Sequence, residues 1–499
     1  MLVLPKPLPR NLTVSDIPAI NFLISLLTAG NTLNSPTPAF LPPAQHLALA
    51  ATLVVHPNLT TRAKSQDHSE AANLALRYLR LVVQLVGPVN GDLQDAFAFW
   101  GVGTSSRRGG SGRRRTGEDV SPTNDTLNSI NSELATTGAL WSRVEDFWQV
   151  VGWAFNCSIL HKNRWERWSL WLEYMIEVLE KDWDIRGEEI GNSDKDKDDD
   201  HNPREQSMIV MYLSSEGATT NREKKILRAV FADASPRTLA EFPEVWRNET
   251  KELKKDGAVK KREARIDIEE DNYGDYVEED EDSDLEDNLN SPPTPSFLTL
   301  VNSTSTTNVA NPLGGMDAII LRLRLLSLLS TVSAILPHMF THLVTLYDIY
   351  LEHIRPLPLP TFFLIMSPSS LSLFTPAAAS SLTQFILRSI IASSAPLPPK
   401  DDLEQDILER SYLPYAANTG SIADNAKVSI CVETLLRLLD KHIGLVWSEG
   451  LQSAMEAGIE AREIKAKKGT KKKQDVEVNR MWLRASAERI RGVVEMARP

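Results

Sequence analysis

Two histidines of this chain have the spacing of metal ligands on a helix. The segment His338-Met-Phe-Thr-His342 separates them by four positions, so a helix would carry both imidazoles on one face. The zinc-protease pattern also needs a glutamate directly after the first histidine, and Met339 occupies that position. The sequence offers no third ligand nearby, whereas metal sites usually need three or four. We therefore expect two histidines on a packed helix, with no metal and no other cofactor.

A second pair, Arg437 and His442, could act on a phosphodiester. The R-x4-H spacing resembles that of helical HEPN-type ribonucleases, in which Arg and His from two chains converge on the scissile phosphate and the histidine is the acid or base. The residue after the arginine is usually polar there, and here it is Leu438. Two residue types at one spacing match often by chance. We interpret the pair as part of a solvated helix face and keep an HEPN-like ribonuclease as a second alternative.

Other catalytic motifs are missing from the sequence. It has no phosphate-binding P-loop, no dinucleotide fingerprint, no G-x-S-x-G and no C-x-x-C. The segment 266–287 carries thirteen acidic and no basic residues, which is typical of a solubilising linker that attracts basic partners rather than of a cation site. We therefore expect a protein that is not an enzyme and has no small-molecule substrate.

Tryptophan is concentrated in one segment, where seven of the eleven residues lie between Trp141 and Trp183. Apolar residues recur there at steps of three and four, which predicts a helical hairpin with a turn near 156–163. Trp168 lies on the predicted core stripe, whereas Trp171 points about 60° away from it on an ideal helix. We therefore predict that Trp168 is buried and that a wider face binds a partner through Trp171, Tyr174, Arg164 and Arg167.

Basic residues form clusters although the net charge of the chain is −12. Two clusters have the composition of nuclear-import signals: Lys254, Lys255, Lys260, Lys261 and Arg262, and Lys467, Lys468, Lys471, Lys472 and Lys473. Together with the acidic segment 266–287 they predict a nuclear protein. The same lysines and the loop Arg107–Arg115 would also suit nucleic-acid binding, which is the first alternative function.

Cysteine usage and hydropathy indicate the surroundings of the protein. Cys157 and Cys431 lie far apart in apolar contexts, so we expect no disulfide framework and a reducing compartment. The most apolar stretch, 318–336, contains Arg322 and Arg324, which would be costly in lipid. We therefore expect a buried core helix there and no membrane partner.

Recurrent amphipathic segments joined by Pro-rich turns predict an all-α fold, either an irregular helical array or an α-solenoid-like one, with long disordered charged insertions. The expected parts are an N-terminal helical part (12–100), a disordered basic loop (101–137), the Trp-rich hairpin with adjoining helices (138–248), a disordered basic-then-acidic linker (249–311) and a C-terminal helical part (312–499). The function that we expect from this organisation is a non-enzymatic nuclear scaffold or adaptor. Its partners would be other proteins in chromatin, genome-maintenance or ribosome-assembly complexes.

Overall fold

A computed structural model of the chain describes residues 16–29, 31–32, 35–36, 40–99, 130, 133–135, 138–192, 202–214, 221–251, 311–399, 403–467 and 473–498. Most of the two segments expected to be disordered, 101–137 and 249–311, lies outside these residues. Internal contacts divide the chain into a unit that joins 1–250 with 311–499 and a unit of 251–310, of which only Lys251 is described.

The described residues before 251 form ten α-helices. They are α1 (Asp16–Ala29), α2 (Ala44–Val55), α3 (Gln66–Leu85), α4 (Leu93–Ala96), α5 (Leu140–Arg143), α6 (Phe147–Leu160), α7 (Lys162–Asn192), α8 (Met208–Ser214), α9 (Arg222–Val230) and α10 (Pro236–Glu241). Two two-residue strands, Asn31–Thr32 and Ser35–Pro36, pair antiparallel after α1.

Nine further helices follow in the described residues after 310. They are α11 (Met316–Ile335), α12 (Leu343–Ile354), α13 (Leu359–Met366), α14 (Pro368–Leu371), α15 (Pro376–Ile390), α16 (Gln405–Ile407), α17 (Ile422–His442), α18 (Glu449–Lys467) and α19 (Lys473–Met496). A π turn, Leu408–Tyr412, continues α16. The predicted all-α helical array is confirmed.

Side-chain caps and a glycine explain where several helices begin and end. Asp146 accepts a hydrogen bond from the Gln149 backbone N–H at 2.8 Å and so caps the start of α6. Ser421 caps α17 in the same way. At the other end of α17, Gly444 has φ +92°, a left-handed conformation that glycine adopts without steric cost. Its N–H donates to the Leu439 carbonyl, which satisfies a group that the helix end leaves open.

The predicted helical hairpin is present, with different bounds. Its arms are α6 and α7, and the turn between them is His161 alone. Asn156, expected in the turn, is a buried residue of α6 whose side chain donates to the Thr238 carbonyl. Trp141, expected on the first arm, belongs to the separate short helix α5. Trp168 is buried, as the core stripe predicted.

Helices from before and after the 251–310 segment share one core. The Trp165 indole on α7 donates to the Asp317 carboxylate on α11, and Arg324 on α11 pairs with Glu180 on α7. Arg322, buried on α11, donates to the carbonyl of Val230, the last residue of α9, and to the carbonyl of Ala232 just after it. Buried apolar residues of the same helices belong to one hydrophobic cluster. The core is therefore continuous between the parts of the chain before and after the segment.

The C-terminal helices pack around α17. This helix contacts α13, α15, α18 and α19, and its side chains are buried on all sides from Asn425 to Leu436. Helices that pack together are therefore not always consecutive in the sequence. In a stack of repeats each unit contacts only its neighbours, so this array is irregular.

Three local features of this region are not evident from the sequence pattern. The short apolar run Phe362–Met366, whose pattern could also indicate a strand, belongs to α13, whose start is set by Pro358 and Pro360 at its first turn. Helix α19 begins at Lys473, although its apolar periodicity becomes clear only from Asn479. Helix α18 is not indicated by the apolar pattern, because exposed polar residues interrupt it.

Candidate functional site

Trp171 and Tyr174 do not form the partner-facing surface that the sequence predicted. Both side chains are buried inside the protein. Trp171 lies edge-on to Trp168, with ring centroids 5.7 Å apart, and Tyr174 meets Phe97 in the same manner at 6.1 Å. The prediction fails because α7 has neighbours on several sides, namely α2, α3, α6, α8 and α11. A second apolar face on this helix therefore packs against the same chain.

Arg164, predicted to contact a partner, is buried as well. Its Nη2 lies 2.6 Å from Glu249 Oε2, and the two side chains are 2% and 0% exposed. The same guanidinium donates to the carbonyl of Val55 and to the hydroxyl of Thr60. Burial raises the pKa of Glu249 to about 7, against the lowering effect of Arg164 beside it. This arrangement joins the end of α2, the start of α7 and the 245–250 segment, so its role is structural.

Arg167 is the one of the four predicted partner residues that reaches the surface. Its Nη1 donates to the Asn73 side-chain oxygen on α3 at 2.6 Å. It therefore links α7 to α3 within the chain. The four predicted residues do not come together as a site, since three face inward and the fourth is held by a neighbouring helix.

The histidine pair does not share a helix. His338 lies in the turn after α11, and His342 is the cap residue that precedes α12. The His338 ring nitrogen Nε2 lies 3.2 Å from a carboxylate oxygen of Glu205. In the described part of the chain, no three His, Cys, Asp or Glu side chains are grouped as metal ligands would be.

Arg437 and His442 point in different directions on α17. The Arg437 guanidinium pairs with Glu433 one turn earlier, at 3.2 Å, and Glu433 also accepts from Arg489 of α19 at 2.8 Å. His442 is exposed at the last position of α17. Five positions on a helix correspond to about 140° of rotation, so the two side chains point in different directions.

Both import-like clusters fall almost entirely outside the described residues. Lys467 is the exposed last residue of α18, and Lys473 begins α19. The other eight residues are not described: Lys254, Lys255, Lys260, Lys261, Arg262, Lys468, Lys471 and Lys472. The basic loop Arg107–Arg115 and the acidic segment 266–287 are likewise outside the description.

An apolar surface that the sequence did not predict lies where α13 meets the first half of α19. The rings of Phe363 and Trp482 are 5.3 Å apart and both are partly exposed. Val478 and Met481, 45% and 47% exposed, lie one helical turn or less from Trp482. We call these four residues the α13–α19 surface.

Two arginines flank this surface. Arg480 and Arg484 are one turn apart on α19, on the other side of Met481, and neither has an ion-pair partner in the described residues. Arg489, in contrast, stacks over Phe363 at 4.9 Å and pairs with Glu433. The α13–α19 surface thus has a fixed arginine beneath it, and the face of α19 that carries Arg480 and Arg484 also carries the exposed Glu477 and Glu488.

The sequence carried only a weak signal for this surface. Val478 precedes Asn479, where the apolar periodicity of the last helix becomes clear, and Phe363 lies in a short apolar run that could also indicate a strand. The detectable sign is that Val478 and Met481 lie off the buried stripe of α19, which runs through Leu483, Ile490 and Val494. Phe363, which completes the surface, is far away in the sequence and is brought to Trp482 only by tertiary packing.

Helix α11 is long and apolar enough to cross a membrane, and no other helix of the described residues is. About two thirds of its most apolar stretch is buried inside the protein. Arg322, within that stretch, is buried against backbone carbonyls of the same chain. Helix α11 is therefore a core helix of this fold.

Comparison with known proteins gave no family model, no curated protein and no solved structure that matches this chain. The function is therefore inferred from the chain's own residues.

Proposed function

We propose that this protein is a non-enzymatic helical scaffold or adaptor that acts in the nucleus by binding other proteins. Assemblies on chromatin, in genome maintenance or in ribosome assembly are the expected setting. The observation that supports the proposal is that one helical unit holds both ends of the charged segment 252–310. Before the segment, Glu249 is held by the buried ion pair with Arg164. After it, the Asn311 side chain accepts hydrogen bonds from Leu313 N–H and from the Thr361 hydroxyl at 3.2 and 2.9 Å.

This attachment suits an adaptor because the segment carries blocks of opposite charge. Lys254 to Arg262 are rich in basic residues, and 266–287 has thirteen acidic ones. Separate blocks of one sign attract partners of the opposite sign over long range. Because both ends of the segment are attached to the folded unit, a partner bound by the segment would be tethered to that unit by the chain itself.

Localisation is tested with a fluorescent fusion. Neutralising both lysine clusters to glutamine should move the fusion from the nucleus to the cytoplasm. A control neutralises five exposed basic residues elsewhere, as many as one cluster contains, and should stay nuclear: Lys64, Arg77, Lys162, Lys224 and Lys441. A cytoplasmic wild type, or a nuclear double-cluster variant, would contradict the proposal.

Nucleic-acid binding is the second candidate. Arg480 and Arg484, which have no ion-pair partner in the described residues and follow the Lys471–Lys473 run in the sequence, favour it. Binding by phosphate contacts releases counterions, so the affinity for single- or double-stranded probes should fall steeply with salt. Affinity that does not change with salt, or no detectable binding, would favour the protein scaffold.

A further inference from the structure

A short proline-rich segment lies on the surface after α15. It reads Pro396-Leu-Pro-Pro399, and no other two prolines of the described residues are three positions apart. Leu397 is 83% exposed, the largest exposed fraction of any large apolar side chain in the described part of the chain. The segment therefore presents apolar surface that its own protein does not cover.

Covalent chemistry restricts this segment to the polyproline II conformation. A proline ring fixes the φ of its own residue at about −65°, and the residue before a proline is kept out of the helical region. Ala395, Leu397 and Pro398 each precede a proline, so together with Pro396 they make four successive residues confined to extended backbone. In agreement, residues 396–398 belong to no helix and no strand.

Burial along the segment follows the three-residue turn of that conformation. Positions three apart share an edge of a polyproline II helix. Ala395 is buried and Pro398 is half-buried, so one edge rests on the protein. Pro396 and Pro399 share a second edge, Leu397 lies on the third, and all three are exposed. Two of the three edges therefore face solvent.

The start of the segment is fixed to the folded unit. The Arg388 guanidinium donates to the Pro396 carbonyl at 2.7 Å and stacks over the buried Tyr412 ring at 5.2 Å. The Ala395 N–H donates to the Ala392 carbonyl at 3.0 Å. The exposed edges are therefore held in place before a partner arrives.

We propose that Pro396–Pro399 is a docking motif for a partner protein with an aromatic-lined groove that recognises polyproline II helices. SH3, WW and EVH1 domains carry grooves of this kind. The inference rests on the proposed adaptor function and names the class of domain that one partner carries. Pro396, Leu397 and Pro399 would pack against the aromatic rings of the groove. Because the segment already has the bound conformation, little conformational entropy is lost on binding.

The chemistry of the segment excludes the other ways in which a peptide docks. Three of its four residues are prolines and lack an N–H, so it can neither continue a helix nor add as a strand to the edge of a sheet. It carries no charge, so it has no group that would pair with the phosphates of a nucleic acid. Among the peptide-binding modes, recognition as a polyproline II helix is the one that suits it.

A second proline-rich tract shows that exposure, rather than composition, singles out this segment. Pro356-Leu-Pro-Leu-Pro360 has the same residue types. Its Leu357 and Leu359 are buried, and Leu359 is the first residue of α13. The leucine side chains of that tract are therefore committed to the core.

The test measures binding of the purified full-length protein to an array of purified SH3, WW and EVH1 domains. At least one domain should bind the wild type, and titration calorimetry gives its dissociation constant. Pro396→Ala with Pro399→Ala should weaken that binding about tenfold or more, because it removes two ring contacts and lets the unbound segment sample more conformations. Leu397→Ala keeps every proline and removes one apolar contact, so it should weaken binding about threefold to tenfold.

Matched variants control for nonspecific effects. Pro376→Ala replaces an exposed proline at the first position of α15, and Leu373→Ala replaces a leucine that is 40% exposed, so both should bind as the wild type does. Pro292→Ala with Pro295→Ala alters the other two prolines of the chain that have this spacing and should also keep binding.

Thermal melts by circular dichroism separate binding from folding, and all these variants should melt as the wild type does. If the double variant of Pro396 and Pro399 melted early, Leu397→Ala, which alters only a solvent-exposed side chain, would carry the test.

Three results would overturn the inference. They are no binding by any domain of the array, equal affinity for the wild type and both segment variants, and binding that is lost in the Pro292 and Pro295 variant but kept in the Pro396 and Pro399 variant. The binding assay is independent of the localisation assay. A cytoplasmic fusion with segment-dependent domain binding refutes the nuclear adaptor alone, whereas a nuclear fusion without it refutes the docking motif alone.

Discussion

Arg164 and Glu249 form an ion pair from which solvent is excluded, with Nη2 2.6 Å from Oε2 and neither side chain more than 2% exposed. The pair joins residues 85 positions apart in the sequence, and Glu249 lies two residues before the 251–310 segment begins. Its surroundings are aromatic: Trp168 lies under the guanidinium at 5.5 Å and packs in turn on Trp246. Each charge is stabilised by the other, because neither side chain has access to water.

Removing Glu249 should be strongly destabilising. Glu249→Ala leaves the Arg164 guanidinium buried without a counter-charge, which we expect to lower the free energy of unfolding by about 3–5 kcal/mol. Urea denaturation followed by circular dichroism measures this. The control is Glu173→Ala, which breaks the exposed pair with Arg80 and should cost about 0–1 kcal/mol. Similar losses for the two variants would mean that burial does not set the strength of the first pair.

The pH dependence of stability should reveal two opposing groups in this region. Burial raises the pKa of Glu249 from 4.5 to about 7, so the native state binds the proton more tightly and this group favours folding less as the pH rises through that window. Burial lowers the pKa of His56 from 6.5 to about 4, so this group favours folding less as the pH falls. Between about pH 4.5 and 6.5 the two slopes oppose each other.

Single substitutions separate these slopes. Relative to wild type, Glu249→Gln should lose stability more steeply on acidification from pH 6.5 to 4.5, because only the His56 effect remains. His56→Phe keeps a ring against Trp246, which lies 5.2 Å away, and should show the reverse change. Denaturant titrations at several pH values measure the differences, and parallel profiles for all three proteins would contradict the assignment.

The sequence predicted helices well where one apolar stripe met a clear stop. In the sequence, Asp16 is a typical start signal and Gly30 a typical stop signal for a helix, and the helix found there is α1 (Asp16–Ala29). Gly87-Pro88 is a similar stop signal after α3, because local backbone chemistry decides these ends. It was less informative for helices that are buried on most sides, such as α7. There the second apolar face looks the same whether it meets a partner or another helix of the same chain.

The candidate site depended still more on tertiary contacts. Arg164 looked like a surface residue because Lys162 and Arg167 surround it, and nothing local to it identifies Glu249 as its partner. In the same way, no pattern near Trp482 identifies Phe363 as its neighbour. Pairings across such distances are set by how the helices pack.

Trp168 and Trp171 should be equally important for folding, contrary to the expectation from helix faces. Trp168 stacks on Trp246 at 5.8 Å, Trp171 meets Trp168 edge-on, and both are fully buried. Either alanine variant should lower the free energy of unfolding by about 3–5 kcal/mol. Phe22→Ala, at a ring 52% exposed on α1, should change it little. A Trp171→Ala protein as stable as wild type would place that side chain at the surface after all.

Two glycines in the C-terminal helices should respond oppositely to the same substitution. In the interior of α18, a Cβ added to Gly458 would lie 1.7 Å from the Leu413 carbonyl oxygen, a backbone atom that cannot move aside cheaply. The same loop is fixed by Arg462, which donates to the carbonyls of Leu413 and Tyr415. In the interior of α19, a Cβ added to Gly492 would meet nothing within 4 Å.

Gly458→Ala should therefore force α18 away from the 413–415 loop and destabilise the protein. Gly492→Ala should raise the free energy of unfolding by about 0.5–1 kcal/mol, because alanine has the higher helix propensity and loses less backbone entropy on folding. Both variants add one methyl group to a helix, so chemical denaturation of the pair isolates the effect of space. A stabilising Gly458→Ala would mean that the backbone of α18 does not approach Leu413 closely. A destabilising Gly492→Ala would mean that another surface, one that needs this glycine, packs there.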